Sequence, residues 1–437
     1  MLTDDFGLEV TTDDPAALAA VNDFVQGFLR YETRAADVLK SVGCDCALVN
    51  AYSAILFLFL EAPDGPDQAA PHLAKAEALS DGITEREAFT LRYAAAWVQG
   101  QENGDYTALR QLGEEAVTRF PEDLVLIKLH QYHAFNAGDA PAMLRAAQAA
   151  YKAHPRVAQV HGMLAFAYEQ CHWLIEAEAA ARTALAFETK EPWAQHALAH
   201  VMLTQGRTAE GAAFLESVEP TWTGLNSFML THLWWHKALF YLSLGRFDDA
   251  LDIYDHHTLN ADPSYSQDQV GAISLLCRLE LAGIDIADRW IALGQLLKGR
   301  GADTVQPFLS LQYLYGLAKA GRPEAGDLLE AIKAEPEDVW QKVTCPAAVA
   351  LMAHAKGDYA AAFEHLILAM PQLFSIGGSH AQRDLFEQIL LDAAIKSGRL
   401  VTAQQMIEAR RGFEPDSVPL AALRDQVNTS LGLTQPA

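Results

Sequence analysis

Basic side chains are scarce in this sequence. Against 56 aspartates and glutamates stand 32 lysines and arginines, a net charge of -24. That sign repels phosphate backbones and anionic lipid surfaces, which argues against nucleic acid and membrane as partners. Cysteine is scarce too. Five in 437 residues are too few for a disulfide scaffold. Cys44 and Cys46 form a C-x-C, but no second pair lies nearby to complete a soft-metal site. Long apolar runs are missing as well. The most apolar stretch, "SAILFLFL" from Ser53, is far shorter than the ~20 residues of a membrane span. The acidic start "MLTDDFGLEVTTDD" has no basic region leading into an apolar one, so a soluble, cytoplasmic protein is expected. Nucleotide-binding glycine loops, G-x-S-x-G and H-E-x-x-H are absent, and with them the usual nucleotide and protease chemistry.

What is present is helix. Apolar residues make up 51% and charged residues 20% of the chain, the composition of a well-packed protein, and the Val/Ile/Thr alternation of strands is rare. The turn positions carry the strongest signal. Gly104, Gly138, His172, Gly206 and Gly245 are spaced by 34, 34, 34 and 39 residues. That is the tetratricopeptide period, two antiparallel helices and a turn. Five residues after the turn comes a small residue, as at Ala177, Gly211 and Ala250, which lets paired helices approach closely. Pro121 and Pro155 then end the second helix of the first two repeats. Weaker copies follow at Gly283, Gly321, Gly357 and Gly398. The fold class predicted is all-α, a tetratricopeptide-type α-solenoid of about nine helical hairpins. It forms one continuous domain: a helical N-terminal cap over 1–80, the superhelix over 81–413 and a C-terminal tail over 414–437.

With the turn glycine as position 15, the first helix of a repeat packs on its partner through positions 4, 7, 8 and 11. Positions 2, 5, 6 and 9 fall on the opposite side, which lines the concave groove in such superhelices. Trp234 takes position 4 and is assigned to the core. His232, Trp235 and His236 take positions 2, 5 and 6; one repeat earlier His196 and His200 take 5 and 9. Four imidazoles should therefore meet in one patch. Gly162 and Phe166 fall on the same face one repeat further back, Gly162 leaving room beside the histidines, and Glu169 offers a carboxylate nearby. The plain alternative is a set of satisfied polar residues, but two H-x-x-x-H pairs in phase favour a site. No cofactor is assigned; a divalent metal on His196, His200, His232 and His236 is the alternative, with Glu169 the only evident carboxylate partner.

Three stretches, "EPWAQHALAHVMLTQGR", "HLWWHKALFYLSLGRFDDALDIYD" and "IGGSHAQRDLF", resemble the tetratricopeptide repeat protein 38 family, and the likeness extends over essentially the whole chain. The resemblance implies a closed-up superhelix. It singles out Gly162, Trp193, His196, His200, His232, Trp235, His236 and Gly377 to Ser379 with Gln382, Arg383 and Asp384. Departures accompany it. Leu203 stands in place of a glutamate, Leu233 in place of an asparagine, and Leu309, Ser310 and Gln312 in place of an Asn-Asp-x-His element, so a more apolar ligand is expected here. The resemblance itself defines no activity.

"IGGSHAQRD" admits two readings. Ser379 can cap the following helix while free backbone N–H groups and Arg383 hold an anion, with His380 facing the groove; or Arg383 and Asp384 pair with neighbouring helices to lock the fold. Function is expected to be binding of a small molecule or a peptide end in the histidine/tryptophan pocket. The alternatives are an enzyme using the four histidines as acid and base or as metal ligands, and a protein–protein scaffold. A homo-oligomer is compatible with each.

Overall fold

The computed structural model describes residues 1–259 and 261–434. The chain is almost wholly α-helical, and its helices follow one another as hairpins at the predicted turns. By compactness it divides into two units: Met1–Phe135 with Asp139–Ala197 and Thr221–Met229, and Asn136–Gly138 with Leu198–Pro220 and Leu230–Ala437.

The first unit opens with a two-residue ribbon, β1 (Leu2–Thr3) against β2 (Glu9–Val10), and helices α1 (Pro15–Arg30), α2 (Ala47–Leu58) and α3 (Gly65–Ala78). Hairpins follow: α4 (Glu85–Asn103) with α5 (Thr107–Arg119), α6 (Leu124–Asn136) with α7 (Ala140–Ala153), and α8 (Ala158–Gln170) with α9 (Leu174–Phe187). The division passes within α10 (Pro192–Thr204), which pairs in sequence with α11 (Thr208–Val218), and within α12 (Ser227–Ser243), followed by α13 (Phe247–His257).

The second unit continues with α14 (Ser266–Leu281), α15 (Ala287–Leu297), α16 (Pro307–Lys319), α17 (Glu324–Ala334), α18 (Cys345–Ala355), α19 (Tyr359–Ala369), α20 (His380–Lys396) and α21 (Leu400–Arg411). Here α14, α16 and α18 lie side by side, and α20 returns against α14. The Arg278 guanidinium donates to the Ala381 carbonyl at 2.7 Å, tying the two together.

The turns explain the period. Gly206 and Gly245 adopt φ of 68° and 73°, the left-handed conformation that lets the chain reverse after a helix. His172 takes the same conformation, φ 59°, without being glycine. The small residue after the turn also has a visible cause: a Cβ on Gly211 would lie 2.3 Å from the Phe240 ring.

The segment expected as a tail is corrected. Residues Val418–Ser430 form a last helix, α22, against α21. Leu420 and Val427 enter a core with Leu391, Ala394, Ala403 and Ile407, and Leu423 and Leu431 pack on it. Their spacing of three, four and four residues is a helical stripe legible in the sequence; Pro415 ends the preceding helix but does not end the fold.

Candidate functional site

Helix α12 is apolar or enclosed on nearly every side: Leu233, Trp235, His236, Lys237, Leu239 and Phe240 are all buried. Such a helix belongs to an interior, so the polar groups it carries need partners or a purpose. His236 is fully buried and Trp235 is 1% exposed. The Nε2 atoms of His232 and His236 approach to 3.3 Å, and the His200 and His236 rings lie 4.5 Å apart, centroid to centroid. His196 is one turn before His200 on α10. One nitrogen from each of His200, His232 and His236 lies within 4.8 Å of the others. The imidazoles of His200, His232 and His236 are neighbours. Glu169 is not in that group; it is buried and accepts from Gln170 Nε2 at 2.5 Å.

Aromatic rings hold the imidazoles. Trp235 stacks on His232 with 10° between planes and meets His236 edge-on. Trp193 stacks on His196 at 4.5 Å, and Phe166 contacts both. His232 retains accessible surface although it sits deep enough that burial, with the charge of His200, pushes its pKa down to about 3. At neutral pH the His232 ring is uncharged and offers a lone pair.

Two expectations are corrected. Trp234, assigned to the core, is only half-buried; it stacks on His257 of α13 at 3.7 Å with Lys237 Nζ over its ring. Trp235, assigned to the groove face, is buried, with the Arg278 guanidinium 5.4 Å from its ring centroid. Position 4 does face the partner helix, but one ring and a lysine stem cover it incompletely, whereas the inner face is closed by α14. Gly162 likewise makes room for a different residue. A Cβ there would come within 2.7 Å of Glu191 Oε2, so the space serves that carboxylate.

The glycine-serine element serves the helix it precedes. Ser379 Oγ accepts from Gln382 N–H and Gln382 Oε1 accepts from Ser379 N–H, a complete capping box. Arg383 donates back to the carbonyls of Gly377 and Gly378 and contacts His380 Nδ1. Asp384 pairs with Arg410 at 2.6 Å, and the Arg410 and Arg278 charges hold its pKa below the usual carboxylate range against burial.

Several buried polar residues were not anticipated. Trp235 Nε1 and both amide atoms of Gln312 on α16 are buried with no hydrogen-bond partner among the described residues. In the first unit, Lys128 Nζ donates to the carbonyls of Phe28 and Leu29 and lies 3.5 Å from the Tyr31 ring centroid. Burial lowers its pKa to about 7, opposed by Glu191; burial likewise raises Glu191 to about 8. A lysine inside "LVLIKLHQYH" was the available signal for the first.

No family model matches this chain. Among solved structures it is similar to the Cut9 and Hcn1 hetero-tetramer of the APC/C, at 11% identity and TM-score 0.42, covering 83% of this chain and 63% of that one. It is also similar to the human IFIT1 dimer with PPP-AAAA, at 12% identity and TM-score 0.44, over 94% and 95%. A third is the human IFIT1 dimer with m7Gppp-AAAA, at 13% identity and 0.44, over 96% of each. This chain thus spans less than two thirds of the first of these. Similarity at this level carries no information on ligand or partner.

Proposed function

We propose that this chain is a binding protein whose inner face, around His200, His232, Trp235 and His236, takes a small molecule or the end of a peptide. The observation that carries this reading is Trp235. Its ring is almost wholly buried, its indole N–H meets no acceptor among the described residues, and it stacks on a histidine that keeps accessible surface. An unpaired buried donor costs about 1–3 kcal/mol, and an acceptor brought by a ligand removes that cost. The resemblance to the tetratricopeptide repeat protein 38 family singles out the same residues. With the net charge of -24, a small molecule or peptide end in the cytoplasm fits better than a nucleic acid.

The test is a thermal-shift and native mass spectrometry screen of the protein, chelator-treated and Zn2+-reloaded in parallel, against metabolites and short peptides. A ligand at a hundred times its Kd stabilises by about 2.7 kcal/mol. Trp235→Phe and His200→Ala should lose that shift while keeping the helical circular dichroism of the parent. Equal shifts in parent and variants, or none in the parent across the screen, would overturn the reading.

A further inference from the structure

The histidine cluster has a more specific chemistry than a polar lining. We infer that His200, His232 and His236 form a binding site for a divalent late first-row transition metal, to which an exogenous ligand is then attached. The inference rests on the binding reading above for that ligand, but the metal site stands on its own geometry.

Zinc–imidazole bonds of 2.0–2.1 Å set nitrogen–nitrogen edges of about 3.3–3.4 Å in a tetrahedron. The His232–His236 Nε2 pair, at 3.3 Å, already has that edge. The bound on separations in the group, 4.8 Å, is longer than that edge, so a small inward movement of one ring accommodates all three nitrogens. Three nitrogens leave a position open, the arrangement of sites where water or a substrate atom completes the shell. The donor set selects the ion. All-nitrogen imidazole sites suit zinc, copper and nickel, whereas magnesium and calcium require oxygen.

Surroundings agree. Trp235 stacks on His232 and meets His236 edge-on, so both rings are ordered by aromatic contact. Neutral imidazoles leave the ion's charge uncompensated, so an anionic donor such as a carboxylate is the ligand the bound ion would recruit.

The test uses the full chain stripped with chelator and titrated with Zn2+ by calorimetry and with Co2+ by visible absorption, before any organic ligand is added. One equivalent should bind, with a cobalt spectrum of tetrahedral intensity. His200→Ala and His236→Ala should each weaken binding by on the order of 100-fold or more, since even outer-shell changes cost 10–100-fold. His232→Ala, at the partly accessible position, keeps the test decisive if a fully buried variant fails to fold. His256→Ala, an exposed histidine on Asp252, should change nothing. Absence of a stoichiometric site, equal affinity in the cluster variants, or equal binding of Mg2+ would overturn the metal. Ligand capture by the stripped protein with no metal uptake would remove this inference alone; metal uptake with no captured ligand would remove only the binding reading.

Discussion

Two buried polar groupings, one in each unit, look alike in sequence and differ in what they satisfy. In the first unit Lys128 and Glu191 are enclosed, yet each closes a helix end. The ammonium takes the terminal carbonyls of α1, and Glu191 Oε2 accepts from Ala194 N–H at the start of α10. These are the groups that helix termini leave open. In the second unit the imidazoles of α12, the indole of Trp235 and the amide of Gln312 sit in the middle of helices, where no backbone group needs them. Burial of a polar side chain therefore separates into two cases, and only the second points to a ligand.

The largest expected effect tests the first case. Lys128→Met removes the donor from the Phe28 and Leu29 carbonyls at the end of α1 and leaves them buried without it, so unfolding free energy should fall by about 2–3 kcal/mol. Urea denaturation of parent and variant measures it. Metal affinity of whatever fraction remains folded should match the parent. A loss below about 1 kcal/mol would mean that Lys128 is not holding a helix end, and the comparison would break.

Gln312→Met should move stability the other way. Both amide atoms are buried without partners, and an apolar side chain of similar length removes that penalty, a gain of about 1–2 kcal/mol in unliganded protein. The same variant should lose part of any ligand-induced shift if the amide faces the ligand. Destabilisation would show that Gln312 is paired through water and belongs with Lys128 rather than with Trp235.

Much of this was legible in the sequence because the repeat is local. Turn residues at a fixed interval required left-handed backbone, and helical phase placed four imidazoles on one face; both are settled within about 40 residues. What was not legible depended on distant chain. Whether Trp234 or Trp235 is enclosed is decided by Arg278 on α14, and the space at Gly162 by Glu191. "IGGSHAQRD" carried two readings because the partner of Asp384, Arg410, is 26 residues away. Helix α22 is a different kind of omission, since its stripe of leucine and valine was there to be read past Pro415.

The smallest effect concerns the turn itself and compares one position in the two units. His172 occupies the left-handed conformation, φ 59°, that Gly206 occupies at 68°. Gly206 has no alternative, because a Cβ would meet the Phe413 carbonyl oxygen at 2.5 Å; at His172 a side chain is accommodated and only the backbone preference is violated. A non-glycine residue in that region costs of order 1 kcal/mol, and glycine gives back part of the gain through its freer unfolded chain. His172→Gly should therefore raise stability by about 0.5 kcal/mol, read as a small increase in the urea midpoint at unchanged slope. A decrease would show that the His172 side chain holds the α8–α9 hairpin through its own contacts, and that this turn, alone among the five of the regular series, is fixed by a side chain rather than by its backbone.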